Sequence, residues 1–251
     1  MRLQNKVAIV TGGASGLGYE IAARFIAEGA RIVIADIQGA EKAAQKLQAT
    51  GAQVIAVPTD VASWASVKAM VDTAADQFGS IDILVNNAAI SSNLQHTPFE
   101  ELTTEQFSSI LAVNTIGTFH GCKAVSPHMR RKKAGRIINM ASGTAFRGSP
   151  FIAHYVASKG AIISLTRSLA HELGADNITV NALSPGFILT ESLLGNQAYT
   201  DPVRQSILKL RAIPREAHPP DLVGAATFLA SEDAGFITGQ ILCVDGGAVY
   251  H

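Results

Sequence analysis

Seven short runs of apolar, mostly β-branched residues constrain the fold of this chain more than any other feature. They fall at residues 7–10, 32–35, 54–57, 81–85, 136–140, 178–183 and 241–244, with helical periodicity between them, as at 17–28, 64–78, 105–129 and 154–173. Runs apolar on both faces suit a buried parallel sheet rather than a half-solvated antiparallel one. Strand and helix in alternation give a doubly wound α/β sheet covered by helices on both faces. No linker, repeat or low-complexity tract interrupts the pattern, so residues 1–251 are expected to form a single domain.

The first strand runs straight into Thr11-Gly12-Gly13-Ala14-Ser15-Gly16-Leu17-Gly18. Glycines allow a tight turn and a close backbone approach to a phosphate. The helix that follows offers unpaired N–H groups and the positive end of its dipole. Gly12, Ser15, Gly16, Leu17 and Gly18 are therefore candidates for holding a dinucleotide pyrophosphate, although their spacing departs from G-x-G-x-x-G.

Asp36 ends the second strand, eighteen residues beyond Gly18. A carboxylate there accepts hydrogen bonds from adenosine ribose hydroxyls and repels a 2′-phosphate. Ile37 and Gln38 follow without a basic group, and Ser15 precedes Gly16, so NAD is expected rather than NADP. The plain rival is a strand-end aspartate closing a turn. Asp60 and Val61 end the third strand, where the acid faces the adenine amino group or caps a helix. Asn86, Asn87 and Ala88 close the fourth, as a fastening for strand ends and a floor for the cofactor. Asn114 lies inside the helical stretch 105–129, where asparagine is a poor helix former, and is read as a surface residue, a satisfied buried amide or a functional kink.

Tyr155 and Lys159 are four apart on a helix and project from one face. A phenol loses its proton at about pH 10, and a nearby ammonium lowers that value. Such a tyrosine can exchange a proton with an alcohol or a carbonyl. Ser142 lies thirteen positions upstream and could hold the same oxygen.

Twenty basic residues balance twenty acidic ones, which argues against a nucleic-acid or membrane-surface partner. The run Arg130-Arg131-Lys132-Lys133 reads as a solvated helix end, where cations suit the dipole. Cys122 and Cys243 lack metal or redox spacing, the histidines are scattered, and no metal site is expected. With no leader segment and no apolar run long enough to span a bilayer, a cytoplasmic protein is the expectation.

These residues together resemble the short-chain dehydrogenase/reductase family over essentially the whole chain. T-G-x-x-x-G-x-G is Thr11 to Gly18, N-N-A-G is Asn86 to Ala89 with alanine last, and Y-x-A-S-K is Tyr155 to Lys159. The mid-helix asparagine matches Asn114 and the serine matches Ser142. Pro185-Gly186 with Thr190, and Ile237 through Gly247, fit as well. Ala89 and Gly143 stand where many relatives have glycine and serine. The resemblance implies a Rossmann-type domain with a seven-stranded parallel sheet, and hydride transfer without metal. Tyr155 would be the general acid/base. Lys159 would lower the tyrosine pKa and bind the nicotinamide ribose. Ser142 would hydrogen-bond the reacting oxygen, and Asn114 would hold a water linking Lys159 to solvent. Pro185, Gly186, Ile188 and Thr190 would hold the nicotinamide, and the resemblance also implies a homotetramer.

Specificity is expected around Ser142 and in a substrate loop at about 187–213. Thr144, Phe151 and Phe187 are candidate substrate contacts beside Ser142 and Tyr155. Leu193, Leu194 and Tyr199 add to a mostly apolar wall. The expected substrate is an apolar or aromatic secondary alcohol or its ketone, rather than an acid or a phosphorylated sugar. Two alternatives remain: a 3-oxoacyl thioester reductase, disfavoured by Asp36, and an idle NAD-binding regulator, disfavoured by an intact Ser142, Tyr155 and Lys159.

Overall fold

In the computed structural model, residues 1–91, 94–190 and 201–250 are described, without the side chains of 201–203. Leu193, Leu194 and Tyr199 lie outside the described residues.

The expected strands form one sheet in the order β3-β2-β1-β4-β5-β6-β7. They are β1 Val7–Thr11, β2 Arg31–Asp36, β3 Val54–Pro58, β4 Ile83–Asn86, β5 Gly135–Met140, β6 Ile178–Pro185 and β7 Ile241–Val244, and every pairing is parallel. Successive side chains on a strand point to opposite faces, so a run buried on both faces is mostly apolar, with Arg136, Asn139 and Asn181 as hydrogen-bonded exceptions in β5 and β6. Ala8 and Val10 pack with Ile21 and Phe25 of α1 (Gly16–Ala27) and with Leu222 and Ala226 of α9 (Pro219–Ala230). Ile9, between them, packs with Val67 and Met70 of α3 (Trp64–Phe78) and with Val125 and Met129 of α5 (Gly117–Lys132). Helix α2 (Ala40–Gln48) joins the first face and α7 (Ala153–Leu173) the second.

One helix departs from expectation. The stretch read as continuous over 105–129 begins as α4 (Thr104–Leu111), with Thr103 and Gln106 forming a capping box. It passes through a π-helical turn at Ala112–Ile116 before continuing as α5. Such single-turn bulges insert a residue into the ladder and re-aim its side chain. The residue re-aimed here includes Asn114, which is fully buried. The basic run at the end of α5 is not merely solvated. Arg130 and Lys133 pair with Asp176, and Lys132 pairs with Asp82, so this helix end is tied to the neighbouring loops.

Candidate active site

Because every strand is parallel, all seven C-terminal ends open on one edge. The chain leaves β3 at one flank and returns as β4 beside β1, which makes a topological switch point, the usual place for a ligand crevice in such sheets. A cavity of about 630 Å³ runs along that edge.

The glycine turn forms part of its floor. Gly12 (φ 61°) and Gly16 (φ 53°) occupy the left-handed region, which any other residue would enter only at a cost. Ser15 caps α1 with extended backbone but no side-chain hydrogen bond, and Ser15, Gly16 and Leu17 line the cavity. The start of α1 therefore lies on the cavity, and unpaired N–H groups at a helix start fit a pyrophosphate. Gly18 does not line the cavity. A Cβ there would sit 2.1 Å from the Gly12 carbonyl oxygen, so this glycine allows helix and turn to pack rather than touching a ligand. The turn is fastened from β4. The Asn87 amide donates to the carbonyls of Thr11 and Gly12 (3.0 Å each), and the Thr11 hydroxyl accepts from the N–H groups of Asn87 and Ala88.

Asp36 and Ile37 line the same cavity. The Asp36 carboxylate accepts the Ala14 N–H at 3.0 Å, tying the glycine turn to β2, and the Gln38 N–H at 3.3 Å. It thus closes a turn and faces the cavity at once, and the two readings of this residue do not compete. Asp60 and Val61 also face the cavity. Asp60 accepts from the Ala62 N–H, whereas α3 is capped by Ser63, so the helix-cap reading of Asp60 fails.

Ser142, Tyr155 and Lys159 all line the cavity. Ser142 follows β5. Both the N–H and the hydroxyl of Thr144 reach its Oγ, at 3.3 and 3.0 Å. With Thr144 donating, the Ser142 proton is left to be given to a substrate oxygen. The Lys159 ammonium lies 5.8 Å from the centre of the Tyr155 ring and donates to the Met140 carbonyl at 2.7 Å. Burial draws its pKa down to about 8. Asn114 braces this helix. Its Nδ2 donates to Ser158 Oγ (3.1 Å) and to the Ile90 carbonyl, and its Oδ1 accepts the Ile90 N–H at 2.8 Å. Ser158 in turn donates to the Tyr155 carbonyl at 2.7 Å. The π-turn is what brings Asn114 within reach of both the residue-90 loop and α7.

The end of β6 completes the wall with Pro185, Gly186, Phe187, Ile188 and Thr190. A Cβ on Gly186 would lie 2.7 Å from that of Asp245, so the strand end and the C-terminal segment touch. Thr144 lines the cavity but Phe151 does not. Its backbone is left-handed (φ 66°), its carbonyl accepts from the Thr97 N–H, and the residue is 52% exposed. Phe151 is therefore withdrawn as a substrate contact in favour of its neighbour Ile152.

Sequence reasoning missed Arg147, Arg211 and Asp245, all of which line the cavity. Asp245 stands in the closing Val244–Gly247 segment whose pattern was noted without a role. Arg211 falls within the substrate loop but was passed over for its apolar neighbours. Among the described residues no three side chains are grouped to hold a metal ion, and no helix is long and apolar enough to cross a membrane.

A family model described as enoyl-(acyl carrier protein) reductase matches residues 12–249. The D-threitol dehydrogenase of Mycolicibacterium smegmatis is 41% identical over 98% of this chain and 94% of its own. A 3-oxoacyl-(acyl-carrier-protein) reductase of Chlamydia trachomatis is 38% identical over 98% of both chains. The crystal structure of levodione reductase superposes with a TM-score of 0.92 at 32% identity, covering 99% of this chain and all of that one. Likeness of this extent, over a cleft built on the same motifs, makes the chain a member of the short-chain dehydrogenase/reductase family: an oxidoreductase of secondary alcohols and ketones that uses a nicotinamide cofactor.

Proposed function

We propose that the protein interconverts a secondary alcohol and its ketone with NAD(H), and that Tyr155 moves the proton. The observation that carries this is the buried Lys159 ammonium beside the Tyr155 ring, in a cavity shared with Ser142. A cation at that distance favours the phenolate, so the tyrosine can accept the alcohol proton in one direction and return it in the other. Ser142 donates to the reacting oxygen. Lys159 also grips the nicotinamide ribose, and Asn114 is assigned the water that links Lys159 to solvent.

Gly12, Ser15, Gly16 and Leu17 hold the pyrophosphate, and Asp36 with Ile37 holds the adenosine ribose. Asp60, Val61, Asn87 and Ala88 shape the adenine side, and Pro185, Gly186, Ile188 and Thr190 the nicotinamide side. The bound cofactor supplies the hydride acceptor or donor. Asp36 supports NAD over NADP because its carboxylate repels a 2′-phosphate. The same residue counts against a 3-oxoacyl thioester reductase that works with NADPH. We take residues 1–251 as one domain acting in the cytoplasm as a homotetramer.

The reading is tested by following NADH and NADPH oxidation over a panel of ketones. Turnover with NADH in preference to NADPH is expected. Turnover confined to NADPH with acyl thioesters would replace this reading with the thioester one.

A further inference from the structure

The charges lining the cavity are not evenly spread. Asp36 and Asp60 stand at the β2 and β3 ends, whereas Arg147, Lys159, Arg211 and a single acid, Asp245, stand at the β5–β7 side. The catalytic half therefore carries excess positive charge within low-dielectric walls, a setting that focuses attraction on anions.

The two arginines differ in what they can offer. Arg211 is buried, and its guanidinium donates to the carbonyls of Arg215 and Phe187. Burial pulls its pKa below the ordinary value, Asp245 opposes that, and the charge of Arg147 is among those it feels. Arg211 thus spends both terminal nitrogens on main-chain carbonyls and contributes mainly field, while its Nε is buried without a partner among the described residues. Arg147 ends the short helix that begins at Thr144, two residues beyond Ser142, and is exposed at the cavity rim. Its guanidinium has no hydrogen-bond or ion-pair partner among the described residues.

We propose that Arg147 is a specificity-determining residue, selecting substrates that carry a carboxylate near the reacting carbon, so that the enzyme takes hydroxy acids and keto acids with an apolar chain. One free guanidinium fork matches a carboxylate in a bidentate pair. A phosphoryl dianion would need further free donors and would face the Asp245 carboxylate. Ile152, Phe187 and Ile207, on the same wall, suit the apolar remainder of such a substrate. This departs from the expectation of a wholly apolar ligand, which rested on the aliphatic and aromatic residues and passed over the arginines.

The inference rests on the alcohol/ketone reading above, and the experiment separates the two. Acetoacetate and levulinate are compared with their methyl esters in wild type, Arg147→Gln and Arg147→Glu, by kcat/KM with NADH and by quenching of bound NADH fluorescence. In wild type the acids should exceed their esters by about tenfold, a ratio that shrinks at high ionic strength. The ratio should fall towards one in Arg147→Gln and invert in Arg147→Glu. An acid-to-ester ratio near one in wild type, or one retained in both variants, overturns the inference while leaving a ketone reductase intact. An Arg147-dependent quench by acids without turnover of any ketone would keep the inference and sink the proposed reaction. Absence of such a quench overturns the inference whether or not turnover is seen.

Discussion

The ammonium of Lys159 donates a 2.7 Å hydrogen bond to the main-chain carbonyl of Met140, the last residue of β5, and is almost wholly buried in doing so. One carbonyl is a modest return for removing a cation from water, and this is why its pKa falls from 10.5 to about 8. Between these two values the unfolded chain binds a proton at this site that the folded chain has released. Stability from this residue is therefore lost as the pH falls through about 8 and is recovered towards 10.5. Thermal melts of the apoprotein and of Lys159→Met, compared from pH 7 to 10.5, should diverge in favour of wild type as the pH rises. The slope should be about 1.4 kcal/mol per pH unit at its steepest. Parallel curves would show that the lysine is not held at the lowered value.

Removing the phenol tests the proton transfer without emptying the cavity. Tyr155→Phe keeps the ring beside Lys159 and should lower kcat by about a thousandfold, within the usual range for a general acid/base. NADH affinity, read by fluorescence titration, should change little, because the turn at Gly12–Gly16 and Asp36 are untouched. Appreciable turnover in Tyr155→Phe would remove tyrosine from the acid/base role.

The sheet, its order of elements and most of the cavity were legible in the sequence for a physical reason. Strands buried on both faces are mostly apolar, and a turn that brings backbone close to a phosphate needs glycine at its tightest points, and both requirements leave marks on local residue choice. The parts that were not legible depend on distance in the fold. Asn114 read as an awkward helix residue, but only the π-turn shows that its amide bridges the residue-90 loop and Ser158. Gly18 looked like a phosphate glycine, yet its constraint is packing against Gly12. Phe151 has a suitable side chain near Ser142 in sequence, but a left-handed backbone and an exposed ring set it apart from the cavity. Arg211 and Asp245 lie thirty-four residues apart and become neighbours only through the fold.

Asp36 holds the Ala14 N–H as well as facing the cofactor cleft, so its replacement should act on two properties. Asp36→Ala should weaken NAD binding by losing an acceptor for the ribose hydroxyls. It should also admit NADP, since a carboxylate against a phosphate costs several kcal/mol. The ratio of kcat/KM for NADH over NADPH should drop by about a hundredfold. Asp36→Asn retains an oxygen for the Ala14 N–H and should show the relaxed preference with less loss of thermal stability. An unchanged ratio in both variants would place the discrimination elsewhere.

Gly143 offers a change that should stabilise the protein. Asp245 is buried, and its Oδ1 accepts the N–H groups of Gly247 and Ala248, but its Oδ2 has no partner among the described residues. A Cβ built on Gly143 would lie 3.9 Å from that oxygen, and its nearest contact, with Val249, would be an ordinary 3.5 Å. The backbone of Gly143 is right-handed helical (φ −57°), so a serine fits without strain. A serine hydroxyl there can donate to the orphaned oxygen, and one satisfied buried acceptor is worth about 1 kcal/mol or more. Gly143→Ser should therefore raise the melting temperature by about 2–4 °C. Gly143→Ala fits the same space but supplies no donor, so it controls for the loss of glycine flexibility. If alanine stabilises as much as serine, the gain is entropic in the unfolded chain. If both melt lower than wild type, the contact with Val249 is tighter than its distance implies.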